Sequence, residues 1–406
     1  MVSLQKMICL AKESRFDALD QGASPGIDLS KLYALGDATK HDVCVSSATT
    51  RVVSGLDRLG DVTRAGVCHS FSHDGRCVSM FKTLFTNECS HQCAYCSNST
   101  VCTSSKEVYC YEPQELANIM LQLYRGNYVE GLFLSSGIGK DEDRTMERML
   151  EATRLLREKH HFAGYVHLKI LPGTDRDHVG QAMEFADRVS VNIEVPSSDH
   201  MSLMSPTKDY RNDILRRQRY VQRLARKKGL PAGQTTQLVV GGAGESDMEI
   251  FGSMVREYRE YDLKRVYFSA FLPVEGTPLE TTVPQPKWRE HRLYQLDWLY
   301  RVYHMPPDEL RLAFDAEDRL CNNDPKATIA KETITEPLDP NEASYDQLLR
   351  VPGIGQVSAK RIVSARRTKR FSTRKELHYL GVRLKRANPY LKVGGWQESL
   401  LERWMK

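Results

Sequence analysis

From Arg76 onward, short apolar runs alternate with stretches whose apolar residues recur every three or four positions. The runs Val78–Phe85, Gly131–Leu134, Tyr165–Ile170, Val189–Ile193, Thr236–Val240 and Arg265–Phe271 predict strands. The stretches 113–125, 143–159, 176–186, 211–228 and 246–260 predict helices, the first by Leu116, Ile119, Met120 and Leu123. Pro113 suits a first helical position and Gly126-Asn127 a stop. Six strand-helix units in succession predict an α/β fold with a parallel sheet, either open and doubly wound or curved into a barrel or part-barrel. Residues 1–75 have weak periodicity, and 287–304 is a further Tyr-rich helical segment.

In either architecture ligands bind where strands end and the following loops begin. The cysteine-bearing segment follows the first strand, Ser135-Ser136-Gly137 the second, and Pro172-Gly173 the third. Asn192 and Glu194 end the fourth, Gly241-Gly242-Ala243-Gly244 follows the fifth, and Pro273-Val274-Glu275-Gly276 the sixth. All six fall on one rim. Asn322-Asn323-Asp324-Pro325 and Asp339-Pro340 mark a connector. The expected domains are a 1–75 extension, a 76–304 barrel, a 305–340 connector and a 341–406 terminal domain.

Length and composition change this picture in two ways. A chain of 406 residues, 41% hydrophobic and 27% charged, has room for two or three cores. No run approaches the ~20 apolar residues of a membrane span. With no secretory h-region at the start, a soluble cytoplasmic protein is expected, its ten cysteines serving as thiols or metal ligands rather than disulfides. The charge is unevenly placed: residues 341–406 hold 15 Lys/Arg against 5 Asp/Glu, and the rest 42 against 47. A basic terminal block on an acidic body points to a polyanion-binding appendage.

Cys89-Ser-His-Gln-Cys93-Ala-Tyr-Cys96 puts three thiols in one tight loop. Three thiolates can hold three irons of a cubane cluster that normally has four protein ligands. The remaining iron is then open to the amino and carboxylate groups of S-adenosylmethionine (SAM). A zinc site would need a fourth ligand, His91 or a distant cysteine. Cys44, Cys68, Cys77, Cys102 and Cys110 show no ligand spacing and read as free thiols; His69 and His73 flank Cys68.

The loop resembles the signature of the radical SAM superfamily, including the aromatic Tyr95 before the last cysteine. That resemblance implies a (βα)6 partial TIM barrel carrying a [4Fe-4S] cluster and SAM. It further implies that Ser136 and Gly137 receive the SAM amino group, that Glu194, taken with Asn192, contacts the ribose, and that Gly241 and Gly242 lie near adenine. After the second strand the chain departs from the common Gly-Gly-Glu form, having Ser135-Ser136-Gly137.

In the tail, Ser344 and Gln347 form a capping box, and Val351-Pro352-Gly353-Ile354-Gly355 makes a turn into a second helix. Leu348, Leu349 and Val351 are expected to face Val357, Ile362 and Val363, with the turn amides forming a phosphate nest beside Lys360. The segment resembles the helix-hairpin-helix motif, an all-α binder of DNA backbone. A weaker second copy starts at Thr373 and Glu376 and turns at Gly381-Val382-Arg383. Gly353, Ile354, Gly355, Lys360, Arg361, Gly381 and Arg383 are the expected DNA-contacting residues.

Together these features resemble the radical SAM DNA modification or repair proteins with a C-terminal helix-hairpin-helix. The resemblance implies a DNA-directed radical enzyme served by a reductant such as flavodoxin or ferredoxin, sometimes beside a uracil-DNA-glycosylase-like partner, and without a membrane. Two alternatives stay open at this level: the same chemistry on tRNA or rRNA, and a DNA-binding redox sensor whose cluster is not catalytic.

Overall fold

The computed structural model describes residues 31, 34–36, 67–71, 77–102 and 107–395. Seven strands form one sheet in chain order: β1 (Val67–Phe71), β2 (Cys77–Leu84), β3 (Gly131–Ser135), β4 (Tyr165–Lys169), β5 (Arg188–Ser190), β6 (Gly233–Val240) and β7 (Arg265–Ala270). β1 pairs antiparallel with β2, and the five pairings from β2 to β7 are parallel. A doubly wound sheet reverses its strand order at a switch point; this one never does, so the fold is a (βα)6 partial barrel. Sequence periodicity does not anticipate β1, which lies in the stretch 1–75. Cys44 and His73 lie outside the described residues. Among the described residues no helix is long and apolar enough to cross a membrane.

The crossover helices are α1 (Pro113–Arg125), α2 (Glu142–Arg154), α3 (Arg176–Phe185), α4 (Ser198–Met204), α5 (Arg216–Lys228) and α6 (Asp247–Tyr261). Two π-helical turns, Leu155–Lys159 and Tyr210–Leu215, extend α2 and precede α5. The sequence stretches 143–159 and 211–228 therefore each contain a helix with a local widening. Side-chain caps from Asp141 and Asp175 start α2 and α3.

β5 is shorter than its apolar run predicts. Past Ser190 the Thr236 hydroxyl enters the ladder, accepting from the Ile193 amide (3.0 Å) and donating to the Val191 carbonyl (2.7 Å). Backbone pairing resumes at Glu194, whose amide donates to the Gln237 carbonyl at 2.9 Å. Glu194 sits at φ +59°, a left-handed conformation uncommon for a non-glycine residue.

Among the described residues the chain divides into two compact units. One runs to Glu245 and takes in Arg256–Gln285; the other comprises Ser246–Val255 and the chain from Pro286 onward. The second contains α7 (Lys287–Arg301), α8 (Pro307–Leu310), α9 (Pro325–Thr333) and two hairpins. The hairpins are α10 (Tyr345–Arg350) with α11 (Gln356–Ala365), and α12 (Arg374–Tyr379) with α13 (Leu384–Ala387). Capping boxes at Ser344/Gln347 and Thr373/Glu376 start α10 and α12. Leu348, Leu349, Val351, Ile354, Ala359 and Ile362 form their core with Leu377 and Val382. Val357 does not join it, being 62% exposed. Gly355 caps α11, so the inward stripe falls on Ser358, Ala359 and Ile362, and Val357 turns outward.

Two buried charged groups make each unit testable. In the second unit Arg289 pairs with Asp247 at 2.5 Å, 6% and 1% exposed, while Asp247 also accepts from the Leu320 amide. Removing the guanidinium strands a buried carboxylate, so Arg289→Ala should destabilise by about 3–5 kcal/mol, read by urea titration of the full chain. In the first unit Glu257 is fully buried against Gln218 of α5. Burial pushes its carboxyl up to about 8, against the opposing pull of Arg256 and Gln218. As a neutral acid it can donate to the Gln218 carboxamide oxygen, which has no other donor among the described residues. The unfolded carboxyl ionises near 4.5, so the stability it contributes is complete below that pH and is lost as pH rises through about 8. Wild type should therefore weaken relative to Glu257→Gln between those limits by on the order of 5 kcal/mol, measured from urea midpoints across pH.

Candidate functional site

Side chains at alternate strand positions line a cavity of about 200 Å³ at the carboxyl ends of the parallel strands. Leu84, Ser135, Lys169, Asn192, Glu194, Gln237, Val239 and Ser269 come from the strands or their immediate extensions. The cysteine loop supplies Cys89, His91, Cys93, Tyr95 and Cys96, and the loop after β3 supplies Ser136, Gly137 and Ile138. The three signature cysteines, Tyr95, Ser136, Gly137, Asn192 and Glu194 thus meet in one place.

Gly241 and Gly242, expected near adenine, are not among the residues that line this cavity. The amides of Gly241 and Ala243 donate to the carboxylate of the fully buried Glu245, so the loop closes on a carboxylate of its own chain. Gly242 packs where an added Cβ would come within 2.7 Å of the Met204 methyl. Gly137 is equally constrained, since a Cβ there would stand 2.3 Å from the Glu88 carbonyl oxygen. The Gly137 amide donates to the Thr86 carbonyl at 2.7 Å, fixing this loop beside the start of the cysteine loop.

The segment after α4 clamps the cysteine loop, and sequence reasoning missed it. The Ala94 amide donates to the Met204 carbonyl (2.8 Å), and Cys93 Sγ lies 3.2 Å from Ser205 Oγ. Thr207 Oγ1 accepts from the Gln92 amide and lies 3.0 Å from His91 Nδ1. Lys208 follows, its ammonium recessed and 6.0 Å from the centre of the Tyr95 ring. Burial lowers its proton affinity, but the fields of Cys93, Glu194, Cys89 and Cys96 more than offset this and hold it above the ordinary lysine range. A single lysine in a polar loop carries no periodicity that would have flagged it.

The same field acts in reverse on the thiols. Burial and the neighbouring Cys93 push Cys96 up to about 12, with the Asn98 amide and Lys208 pulling the other way. Burial, then Lys208, holds His91 down near 4, so the ring is neutral, and its buried Nε2 has no hydrogen-bond partner among the described residues. Tyr95 is raised by burial and by Glu194, with which it is hydrogen-bonded. Asn192 donates to Glu194 at 3.3 Å and accepts from Lys169. A polar chain therefore runs from Lys169 inside the barrel through Asn192 and Glu194 to Tyr95.

This donor set fits a cluster held by three cysteines. Among the described residues no three His, Cys, Asp or Glu side chains converge on a single ion position. A cubane asks for something else, one sulfur at each of three separate irons. Cys102 and Cys110 are free thiols, Cys110 lying 3.3 Å from the Arg148 guanidinium.

In the second unit the two hairpin turns interlock. The Arg383 amide donates to the Gly353 carbonyl at 3.0 Å, and Gly353 and Gly381 lie at φ +87° and +91°. Lys360, Arg361, Arg383 and Gly381 are exposed, and Gly355 caps α11. Ile354 is the exception to the expected phosphate nest. Its side chain is core, its amide donates to the Val351 carbonyl, and its carbonyl takes the Lys326 ammonium at 2.6 Å. The first turn of α11 is left as the amide-bearing part.

Comparison with known proteins follows this division. Residues 83–269 match the radical SAM superfamily, and residues 335–380 match the helix-hairpin-helix motif. The chain carries a radical SAM domain, of the superfamily that uses a [4Fe-4S] cluster and SAM, together with a helix-hairpin-helix. No protein of curated function matches it. Among solved structures it is similar to methylornithine synthase (PylB), at 16% identity and TM-score 0.44 over 53% of this chain and 60% of that one. It is also similar to the FeFe-hydrogenase maturase HydG from Carboxydothermus hydrogenoformans (12%, TM-score 0.39, 52% and 48%). A third is the radical S-adenosylmethionine methyltransferase TsrM from Kitasatospora setae (14%, TM-score 0.38, 52% and 38%). The chain thus spans less than two thirds of the length of each.

Lys208 lies in the field of all three cysteines, so its removal should weaken retention of the iron. Lys208→Met is expected to lower iron affinity about 10- to 100-fold, measured as iron and sulfide per chain after chelator challenge of the reconstituted protein. Retention equal to wild type would refute the role.

Proposed function

We propose that the chain is a radical SAM enzyme acting on DNA. The observation that carries this reading is the meeting of Cys89, Cys93 and Cys96 with Glu194, Asn192 and Lys169 around one cavity at the strand ends. When bound, the cluster would supply one electron to the sulfonium of SAM, releasing methionine and a 5′-deoxyadenosyl radical.

The chain's own residues would do the rest. Cys89, Cys93 and Cys96 would each hold one iron, while Lys208 offsets the negative charge gathered there. Glu194, held in place by Asn192 and Tyr95, offers a carboxylate to a ribose hydroxyl, and Ser136 with the Gly137 loop borders the same cavity. Leu84, Ile138, Ile170, Val239 and Phe271 give the cavity an apolar lining that keeps water and stray hydrogen donors from a reactive species.

DNA as the substrate class is supported by the second unit. Lys360, Arg361 and Arg383 have no carboxylate partner among the described residues, and the amides of the first turn of α11 stand beside them. Such a surface grips phosphates without reading bases, and a base would leave the stack to reach a barrel cavity. A reductant of the flavodoxin or ferredoxin class would complete the cycle.

The test is anaerobic turnover of the reconstituted full chain with SAM, dithionite and defined oligonucleotides, read by mass of both products. Release of 5′-deoxyadenosine is expected, stimulated by DNA, and should fall at least 100-fold in Cys93→Ala, which leaves an iron without its ligand. A cluster-loaded protein that releases neither 5′-deoxyadenosine nor methionine would overturn the enzymatic reading. Modification of RNA alone would overturn the choice of DNA.

A further inference from the structure

On the outer helices of the barrel unit, Arg176, Arg211, Arg216, Arg219 and Arg223 surround a shallow basin completed by Asn212 and Tyr220. Arg216, Arg219 and Arg223 share one face of α5 at spacings of three and four. Arg176 enters from the first turn of α3 and Arg211 from the π-helical turn before α5. All five side chains are exposed, and none forms an ion pair among the described residues. The acids of the segment are engaged elsewhere: Asp209 accepts from the amides of Arg211 and Asn212, and Asp213 from the amide of Asp209.

Tyr220 organises the basin. The guanidinium carbons of Arg176 and Arg216 both lie 5.8 Å from its ring centroid, which holds two long side chains in fixed directions at low desolvation cost. Asp209 reaches Arg211 with its field, but none of the five guanidiniums has an ion-pair partner among the described residues, and like charges so concentrated repel one another. Residues 1–340 are acidic in sum, so the concentration is not a general basic surface.

We infer that this basin is a second nucleic-acid contact, binding the phosphodiester backbone on the barrel unit itself. Guanidinium forks match phosphate oxygens two at a time, and every cation here is arginine rather than lysine. An acidic protein partner is the poorer fit. Protein interfaces centre on a charge-depleted apolar core, and this basin offers only arginine, asparagine and one tyrosine already covered by guanidinium. The inference rests on the nucleic-acid reading above, but on a different unit and different residues from the hairpins.

The experiment is fluorescence anisotropy of a labelled DNA duplex with the full chain across a salt series. Four proteins are compared: wild type, Arg216/Arg219/Arg223→Gln, the same three →Lys, and Lys360/Arg361/Arg383→Gln. The basin glutamine triple is expected to bind about 10- to 100-fold more weakly near 0.1 M salt, with a log–log salt slope shallower by about 2–3. The lysine triple should keep the wild-type slope, because the charges remain, which separates lost contacts from lost folding. A glutamine triple with unchanged slope and affinity overturns the basin while leaving the hairpin reading intact. An unchanged hairpin triple overturns the hairpin reading while leaving the basin intact. Binding of an acidic electron-transfer protein that is lost in the basin triple, with DNA affinity unchanged, also overturns the inference.

Discussion

Placing charge inside a barrel is the constraint on which the rest of this structure depends. Lys82, Lys169 and Glu194 are each less than 10% exposed, and His167 is buried among them. An apolar interior of the same volume would be cheaper, because buried charges are stabilised only where each finds a partner. The protein supplies those partners locally. Lys169, Asn192, Glu194 and Tyr95 form one chain, His167 Nε2 lies 2.5 Å from Ser190 Oγ, and Lys82 stands 5.6 Å from the Phe133 ring centroid. Burial, together with the fields of Arg188, Lys169 and Lys82, keeps the His167 ring neutral. Such an interior carries a cost in stability.

Local backbone geometry aims this network at the cavity. The Val191 amide still pairs with the Thr235 carbonyl, the Thr236 hydroxyl then stands in for backbone partners at the Val191 carbonyl and Ile193 amide, and Glu194 takes a left-handed conformation. Strain of this kind persists only where its surroundings over-determine it. Here the Glu194 amide and carbonyl are both bonded to β6, through the Gln237 carbonyl and the Val239 amide. The Cα–Cβ direction of Glu194 is therefore fixed by main chain on both sides, and Asn192 donates to its carboxylate.

The parts legible in the sequence were those set by local rules. Apolar runs located the six parallel strands, and the spacing Ser344 to Gln347 and Thr373 to Glu376 located two helix starts through reciprocal capping. The cysteine spacing picked out a loop that borders the cavity at the strand ends. What was not legible depends on pairing across long separations. Nothing in the run before Val191 shows that Thr236 will enter its ladder, and nothing in Ser205-Pro206-Thr207-Lys208 shows that it will close over a loop more than a hundred residues earlier. The glycines at 241–244 announced a turn, but not that Glu245 would fill it. Val357 looked like core by hydrophobicity alone, and the starting point of α11 rotated it outward.

Arginine shows most clearly how structural and binding charge can be told apart once partners are known. Arg157 satisfies the carbonyls of Phe185, Phe162 and Gly164 and the carboxylate of Asp187, and Arg366 those of Pro340 and Ala343. Arg217, in the middle of the basic stretch, turns inward to the carbonyls of Gly173 and Thr174. Its neighbours Arg216, Arg219 and Arg223 point outward, with no such acceptors among the described residues. Sequence presents these four side chains as equivalent; the helix phase separates them into one that closes the fold and three left to an external anion. The same division runs through the hairpins, where Arg350 is tied to Glu309 and Arg370 to Glu342, while Lys360, Arg361 and Arg383 stand unpaired among the described residues. Cations with internal acceptors are accounted for by folding, whereas Arg216, Arg219 and Arg223 in the basin and Lys360, Arg361 and Arg383 in the hairpins have no ion-pair partner among the described residues, and clustered in this way they are the groups on which the two nucleic-acid proposals rest.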